Sequence, residues 1–320
     1  MSFPGIAPIA VPEGSTVWAA SDVHGQRDAF DRLLATAGLT DGADRWIAPP
    51  DTALVITGDI VDRGPDSVGL VRRLAALRDQ APAHRGLVAL VEGNHEVELL
   101  GGLAGVPEIW RALLTFGGGA TLVSAGLEPG EWERLTPLEV AARVDAFAPD
   151  FRPVLQTFAP YATWGDVLFV HGGPVPFQGL DAWVAGEERL WIRDAWSASP
   201  YPFPDHGAWA AYRDAGMARV VYGHTPVAEP TLIHGGRGLN LDTWRGGVVT
   251  LAELQPELPL AEARYLTEPA EDRVVADGPI TREEIKAIDA AMFPAVRAWW
   301  ASLRDAALDP GAVTDPGSTS

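Results

Sequence analysis

The sequence predicts an α/β fold. Two observations support this class: short runs of apolar, β-forming residues alternate with segments of helical periodicity, and small polar clusters close several of the runs. Strands that alternate with helices usually build a sheet with helices packed against it. With 320 residues, 47% of them hydrophobic, the chain can bury a full core and exceeds the usual size of a single domain. We therefore expect one large α/β domain with an appendage.

Three strands, each followed by a helix, are expected in the first third of the chain. The first helix ends at Gly38, the second starts near Pro65, which suits a first helical turn, and the third follows Asn94. Apolar residues recur at helical spacing in each of them, so the helices should pack against the sheet. The strands are predicted at residues 16–21, 53–57 and 86–91.

The rest of the chain is predicted to hold an insertion, further strands and a terminal helix. Residues 103–165 form a helical insertion, in which Thr136 to Glu139 make a capping box with proline at the first helical position. Further β-structure is predicted at residues 166–170, 218–222 and 240–250, the last as a closing hairpin.

This pattern divides the chain into three parts. Residues 15–255 hold the α/β domain, and residues 256–304 form a C-terminal helical extension. A cap at Thr281 opens the terminal helix, and Pro294 is expected to kink it. Residues 305–320 are predicted to be a disordered tail, because the end of the chain is polar with glycine and proline.

The composition excludes several classes of protein. The absence of cysteine rules out disulfides and thiolate metal sites, whereas carboxylate, imidazole and amide ligands suit Mn²⁺, Fe, Zn²⁺ or Mg²⁺. A formal net charge of −19 argues against nucleic acid as a partner. There is no signal-peptide pattern, and no apolar run approaches the ~18 residues of a membrane span. We expect a cytoplasmic protein with no membrane partner; the sequence does not indicate its oligomeric state.

Five short polar clusters follow predicted strands. They read Asp22-Val-His24-Gly25, Gly58-Asp59-Ile-Val-Asp62-Arg63-Gly64, Gly93-Asn94-His95-Glu96, His171-Gly-Gly and Gly223-His224-Thr-Pro. Ligands in open α/β sheets gather outside the carboxyl ends of the strands, where a rigid sheet can aim several side chains at one point. Asp, His and Asn in such positions supply the ligand types of a metal site.

The spacing of these residues predicts a two-metal hydrolytic site. Asp22 and His24 can grip one cation from a single turn, and Asp59 could bridge two cations with its two carboxylate oxygens. Two cations about 3.5–4 Å apart clamp the attacking and leaving oxygens of an in-line displacement and lower the pKa of a bridging water. The second cation would be completed by Asn94, His171 and His224.

Four further residues could handle a proton and a phosphate. His95, next to Asn94, is free to protonate a leaving oxygen, and Asp62 could fix its tautomer and raise its pKa. Arg63 offers a planar fork to phosphoryl oxygens, and Arg193 is the candidate for a second arginine.

These motifs resemble the phosphoprotein phosphatase branch of the calcineurin-like metallophosphoesterases, over roughly residues 15–252. Trp191-Ile-Arg193 and Phe116-Gly-Gly-Gly-Ala-Thr-Leu are similar to segments of stand-alone bacterial members, which include serine/threonine protein phosphatases and diadenosine tetraphosphatases. The resemblance implies a four-layer fold with a central β-sandwich flanked by helices, and it makes residues 15–255 the catalytic domain.

The resemblance also implies a dinuclear site, usually assayed with Mn²⁺, that acts by direct water attack without a phosphoenzyme. Fe and Zn²⁺ are alternatives to Mn²⁺. Position by position, it assigns one metal to Asp22, His24 and Asp59, and the other to Asp59, Asn94, His171 and His224. It assigns His95 and Asp62 to proton donation, and Arg63 and Arg193, with Asn94 beside them, to phosphate binding.

Two segments depart from the family pattern. Ser21 stands where glycine usually precedes the first aspartate, a change expected to be mild. Trp244 and Arg245 follow Asp242-Thr243 in a segment that usually reads Asp-Thr-Gly. A bulky ring and a cation there are expected to reshape access of the substrate.

The motifs favour hydrolysis of phosphomonoesters, with phosphoserine or phosphothreonine on proteins as substrate, by attack of a metal-bridging hydroxide. The partner would be a phosphorylated protein or a small phosphate ester. Two alternatives stay open. The first is cleavage of dinucleoside polyphosphates such as diadenosine tetraphosphate, with the insertion and Trp244 as an adenine-stacking wall. The second is a non-catalytic phosphate-binding module, which the intact ligand set disfavours.

Overall fold

The computed structural model describes residues 6–42, 44–271 and 282–308. Its strands are β1 (Ile9–Ala10), β2 (Thr16–Ala20), β3 (Thr52–Thr57), β4 (Leu87–Val91), β5 (Ala162–Trp164), β6 (Val167–Phe169), β7 (Arg219–Tyr222), β8 (Thr231–Ile233), β9 (Gly238–Asn240), β10 (Val248–Leu254) and β11 (Arg264–Pro269). Its α-helices are α1 (Arg27–Thr36), α2 (Ser67–Gln80), α3 (Asn94–Leu103), α4 (Pro107–Thr115), α5 (Gly118–Ser124), α6 (Pro137–Phe147), α7 (Phe151–Leu155), α8 (Leu180–Ala185), α9 (Glu188–Trp191), α10 (Asp194–Ser197), α11 (Ala210–Asp214) and α12 (Arg282–Leu308).

The strands form two sheets. One has five strands in the order β11-β10-β2-β3-β4, and the other has six in the order β1-β5-β6-β7-β9-β8. In the first sheet β2, β3 and β4 are parallel, with Val17 opposite Ala53. In the second, β6, β7 and β9 are parallel. The parallel strands of each sheet therefore present their carboxyl ends together, which is where side chains from successive loops can meet.

The two sheets pack face to face with helices on both outer sides. Apolar side chains of the facing sheets share one core, to which Val55 of β3 and Phe169 of β6 both contribute. A second core joins the outer face of the five-stranded sheet to helices α1 to α7, α9 and α12. A third joins the six-stranded sheet to α8, α10 and α11. Strand β3 agrees with this layering: it is buried along its whole length, as expected of a parallel strand covered on both faces. The expected α/β class with a β-sandwich between helices is confirmed.

Several local predictions agree with the structure. The three strand–helix units of the first third are present, and the capping box predicted at Thr136 opens α6 with Pro137 at the first helical position. Helix α2, by contrast, starts later than expected. Asp66 is its N-cap and accepts a hydrogen bond from the Gly69 N–H, so Pro65 precedes the helix rather than lying in its first turn.

The closing hairpin predicted over residues 240–250 is wrong. The segment is split between the sheets: β9 pairs with β7 and β8, whereas β10 pairs with β2 and β11. A 3₁₀ turn at Thr243–Gly246 carries the chain from one sheet to the other. Alternating apolar residues on both sides of a turn cannot distinguish this crossover from a hairpin.

The C-terminal part contains more than the predicted helix. Strand β11 lies within residues 256–304 and pairs antiparallel with β10 along six residues. Helix α12 is continuous through Pro294 and reaches Leu308, four residues into the stretch predicted as a tail. The predicted cap at Thr281 and residues 309–320 lie outside the described residues. Among the residues described, no helix has the length and apolar character needed to cross a membrane.

Candidate metal centre and active site

Five candidate ligands lie at the carboxyl ends of strands from both sheets. Asp22, Asp59 and Asn94 follow β2, β3 and β4 of the five-stranded sheet, while His171 and His224 follow β6 and β7 of the six-stranded sheet. Each is at most 5% exposed. The sandwich therefore brings together at one edge side chains that are up to 202 residues apart in sequence, such as Asp22 and His224.

Asp59 lies between two groups of possible metal ligands. The first group is His24, Asp59 and His95, and the second is Asp59, His171 and His224; ligand atoms within each group lie within 4.8 Å of one another. The Asp59 Oδ2 atom is 3.8 Å from the Nε2 atoms of His24 and His95, whereas Oδ1 is 3.3 Å from His171 Nε2. Each carboxylate oxygen thus faces a different group, as a bridging ligand requires.

Hydrogen bonds hold three imidazoles with Nε2 directed into the site. Nδ1 of His24 donates to the Val61 carbonyl at 2.8 Å, and Nδ1 of His171 donates to the Thr57 carbonyl at 2.8 Å. Nδ1 of His95 donates to Asp62 Oδ2 at 2.7 Å. Metal-binding histidines typically donate one ring N–H in such a bond, which fixes the tautomer and leaves the other nitrogen for the ion.

The loops that carry these residues have strained backbones. Asp22, His24, Asp59 and His224 have φ between +45° and +64°, a left-handed region that non-glycine residues rarely adopt. Asp62 and Arg63 share this conformation. Strain of this kind costs on the order of 1–3 kcal/mol per residue and concentrates at functional sites. Neighbouring glycines are packed too closely for a side chain: a Cβ on Gly223 would lie 2.0 Å from Asp22 Oδ2.

The acidic residues of the site repel one another. Burial, with help from Asp242 and Asp59, holds the pKa of Asp22 well above its usual range. Burial also disfavours the charged form of Asp59, but His171 and His95 hold the pKa of that carboxyl well below its usual range. His171 itself is buried, which opposes protonation, yet Asp59 raises its pKa to about 9. Such crowding of carboxylates favours an arriving cation.

The side chains suit a divalent cation on two further observations. His224 Nε2 is buried and has no hydrogen-bond partner among the described residues. The positive guanidinium of Arg63 lies between two other imidazoles, donating to His24 Nε2 at 2.5 Å and to His95 Nε2 at 2.9 Å. Imidazole nitrogens and carboxylate oxygens that converge in this way, with one nitrogen unpaired and two facing a cationic group, are a donor set suited to a divalent metal.

His95 and Asp62 form a buried pair beside these ligands. The Asp62 carboxylate accepts from His95 through Oδ2 and from the Thr121 hydroxyl through Oδ1, at 2.6 Å. Burial works against the charged imidazole, but Asp59 and Asp62 keep the pKa of His95 above its ordinary value. A histidine that retains its proton near neutral pH can act as a general acid. Thr121 belongs to the insertion, so α5 helps to fix this pair.

The site opens into a cavity of about 520 Å³. Arg63 and Arg193 both line it, and Arg193 is held by a short hydrogen bond from Nη1 to the His224 carbonyl. The cavity therefore presents two guanidinium groups next to the candidate ligands, an arrangement that suits an anionic ligand such as phosphate. The lining residues are Asp22, Asp59, Arg63, Asn94, His95, Glu98, Phe116, Trp191, Arg193, His224, Pro226, Asp289 and Phe293.

Two glutamates that support the site were missed in the sequence. Buried Glu96 accepts from the backbone N–H groups of Gly93, Asp59, Ile60 and Val61, and so ties the two central loops together. The sequence could have indicated a structural role for Glu96, since it lies three residues after the N-cap of α3, at the capping-box position. Glu98 accepts from Asn94 Nδ2 at 3.0 Å, and the spacing of four residues on one helix could have indicated this contact.

Both departures from the family pattern have a structural counterpart. The Ser21 hydroxyl donates to Asp22 Oδ2 at 2.5 Å, so it touches a candidate ligand directly. Trp244 does not line the cavity, contrary to its expected role in an adenine-stacking wall. It is 5% exposed, and its ring lies 5.2 Å from that of His24. The aromatic residues that do line the cavity are Phe116, Trp191 and Phe293.

Comparisons with known proteins agree with this geometry. A family model described as calcineurin-like phosphoesterase matches residues 15–228. The asymmetrical bis(5'-nucleosyl)-tetraphosphatase PrpE of Bacillus subtilis (strain 168) is 28% identical over 77% of this chain and 96% of PrpE. Shewanella-like protein phosphatase 2 of Arabidopsis thaliana is 28% identical over 54% of this chain, which spans about half (51%) of that relative. The solved cold-active protein-tyrosine phosphatase of a psychrophilic Shewanella species is 20% identical, with a TM-score of 0.50 over 82% of this chain and 83% of that one.

Proposed function

The chain belongs to the calcineurin-like phosphoesterase family, a family of metal-dependent hydrolases, and on that premise we propose that it hydrolyses phosphomonoesters, most readily phosphoserine and phosphothreonine on proteins. The observation that carries this proposal is the shared carboxylate of Asp59, whose two oxygens face two separate groups of ligand atoms beside one cavity. A site of that form suits in-line displacement at phosphorus.

Two divalent cations, for which we propose Mn²⁺ with Fe and Zn²⁺ as alternatives, would supply positive charge for the phosphoryl oxygens and a water of lowered pKa when bound. Asp22, His24 and Asp59 would hold one of them, since Asp22 Oδ1 lies 4.0 Å from His24 Nε2, and His95 of the first group would be left to act as the acid. Asp59, Asn94, His171 and His224 would hold the other. The buried, unpartnered Nε2 atom of His224 and the inward Nε2 atoms of His24 and His171 support this assignment.

The proton for the leaving oxygen would come from His95. Asp62 holds its Nδ1–H at 2.7 Å, so Nε2 is the nitrogen that would carry the proton for the cavity once Arg63 no longer donates to it. Asp62 also stabilises the imidazolium before the transfer and keeps the ring in the correct orientation. Positioned acids of this kind contribute about 10²–10⁴-fold to the rate.

Arg63 and Arg193 would bind the phosphoryl oxygens that are not transferred, with the Asn94 amide beside them. Arg63 donates to His24 and His95 in the structure, and we expect it to turn from these rings to the phosphate when substrate binds. Its side chain lies against Gly117, which leaves no room for a Cβ at that position: a Cβ there would be 2.8 Å from Arg63 Cγ. Arg193 is anchored at the His224 carbonyl and needs no such movement.

Cleavage of dinucleoside polyphosphates is the second candidate function. Two observations favour it: PrpE aligns along 96% of its length, and three aromatic side chains line the cavity. Aromatic rings can stack on a nucleobase. The third candidate, a non-catalytic phosphate-binding module, is disfavoured because candidate ligands that follow strands of both sheets lie together at one edge of the sandwich.

The test compares initial rates on a phosphothreonine peptide and on diadenosine tetraphosphate. Metal-stripped protein is refilled with Mn²⁺, and an Asp59→Asn variant is assayed beside it. We expect Mn²⁺-dependent release of phosphate from the peptide and its loss in the variant. A higher kcat/KM on the dinucleotide would move the function to nucleotide cleavage. No turnover on either substrate, or on p-nitrophenyl phosphate, would overturn the enzymatic proposal.

A further inference from the structure

We propose that Asp289 of the C-terminal helix α12 selects against substrates that carry more than one phosphate. The inference rests on the proposed function and deepens it, because it names the substrate class: monoesters whose leaving group is uncharged or cationic. Dinucleoside polyphosphates and similar polyanions would be disfavoured.

The first observation is the place of α12. Asp289 and Phe293, four residues apart on one face of the helix, line the same cavity as Asp59 and His95. The helix follows the region matched by the family model, which ends at residue 228. This wall of the cavity is therefore an addition to the part of the chain that carries the ligands.

The second observation is that α12 is firmly attached. Met292, Val296 and Trp300 are buried in the core that also contains the apolar side chains of α3 and α4. Arg297 forms an ion pair with Glu187, with 2.6 Å between Nη1 and Oε1. About two helical turns of packing thus fix the position of Asp289 relative to the loops of the site.

The third observation is the chemistry of the wall. The ring of Phe293 lies edge-on to that of Trp191, with centroids 5.4 Å apart. These rings offer apolar surface to a leaving group and no positive charge. Asp289 is half-buried beside them; burial raises the pKa of its carboxyl, and the positive charge of Arg193 opposes that rise.

Charge balance gives the direction of the effect. Bound cations would offset Asp22 and Asp59, and the arginines would pair with the transferred phosphoryl group. Asp289 is a further carboxylate facing the space that a leaving group would fill. A second phosphate in that space would meet this carboxylate across a partly desolvated cavity, where charges interact more strongly than in bulk water. A peptide hydroxyl or a nearby lysine would not be repelled.

Binding of inorganic anions tests the proposal without depending on turnover. The affinities of Mn²⁺-loaded protein for orthophosphate and for tripolyphosphate are measured by titration calorimetry. Asp289→Asn should raise the tripolyphosphate affinity relative to orthophosphate by about 10-fold, the scale of one charge interaction at such a site. Asp289→Glu, which keeps the charge, should retain the wild-type ratio.

Asp305→Asn is the matched control, because it removes the same charge from an exposed position on the same helix. An affinity ratio that stays unchanged in Asp289→Asn, or changes equally in Asp305→Asn, would overturn the proposal. Turnover separates this failure from failure of the proposed function. If the wild-type protein hydrolyses the phosphothreonine peptide and the affinity ratio does not change in Asp289→Asn, only the role of Asp289 is refuted.

Discussion

Asp62 accepts the Nδ1–H of His95 at 2.7 Å, and both side chains are almost completely buried. The pair joins the loop after β3 to the first turn of α3, and Thr121 of the insertion completes it by donating to the second Asp62 oxygen. Burial of this kind makes the orientation of the imidazole a property of the fold. Its consequences for the rate can be measured directly.

Replacing His95 by alanine should lower kcat by about 10²–10⁴-fold on an alkyl phosphate, because the leaving alkoxide then departs without a proton. On p-nitrophenyl phosphate the loss should be much smaller, since that leaving group needs little protonation. Steady-state rates on both esters check this prediction. Equal losses on the two would remove His95 from the role of acid.

The Asp59→Asn substitution should impair both metal groups together. The carboxylate is common to the two groups, and an amide has one oxygen and half the coordinating capacity. The bound Mn²⁺ content is measured by elemental analysis after gel filtration has removed free Mn²⁺. Asp41→Asn, on a loop distant in sequence from the clusters, is the control. Full Mn²⁺ content in Asp59→Asn would contradict the bridging assignment.

Glu98 should act on metal affinity through Asn94. Its carboxylate holds the Asn94 amide by Nδ2 and so directs Oδ1 toward His171, 2.9 Å from its Nε2 atom. Glu98→Ala should weaken Mn²⁺ binding by about 10–100-fold, as is usual for partners that orient a ligand. Glu98→Gln keeps an acceptor and should recover most of the affinity. Calorimetry measures the Mn²⁺ affinity of both variants. An equal loss of affinity in the two would indicate that the charge of Glu98 matters rather than its hold on Asn94.

Glu96 should contribute more to stability than an ordinary capping glutamate. Removing its carboxylate leaves four buried N–H groups without an acceptor, at about 1–3 kcal/mol for each unsatisfied group, so Glu96→Ala should cost at least about 3 kcal/mol. Glu139 occupies the same position in the exposed capping box of α6, and Glu139→Ala should cost far less. Urea unfolding of both variants is the comparison, and similar losses would refute it.

His234 should make stability depend on pH on the acid side. Partial burial against Trp196 holds the pKa of His234 below its usual 6.5, while Nε2–H donates to the Trp196 carbonyl at 3.0 Å. The folded state thus binds the proton less readily than the unfolded state, so the stabilisation is complete above about pH 6.5 and is lost as pH falls below it. Urea midpoints between pH 8 and pH 5 should fall less steeply in His234→Asn, a residue that tolerates the left-handed backbone at this position. Parallel curves would exclude His234 as a source of the effect.

The sequence indicates the candidate site better than its surroundings. Asp22, Asp59 and Asn94 could be placed because each lies two or three residues past the end of an apolar strand, and the carboxyl ends of parallel strands meet at one edge. Strand β1 is two residues long and has too little pattern to be recognised. The exchange of sheets between β9 and β10 depends on packing of the whole sandwich, as does the approach of Asp289 to the cavity. Local patterns carry no information about either contact.

The candidate ligands come from both layers of the sandwich, and this ties cation binding to the cohesion of the sheets. Asp22, Asp59 and Asn94 follow strands of one sheet, and His171 and His224 follow strands of the other. An ion held by both sets would link the two sheets at that edge, since the sheets could not separate there without releasing it. Its binding free energy then adds to the free energy of unfolding, by about 2.7 kcal/mol at a hundredfold excess over the dissociation constant. The melting temperature should therefore rise with the occupancy of the metal site. A chelator should first weaken the contact between the sheets at the edge where the substrate enters.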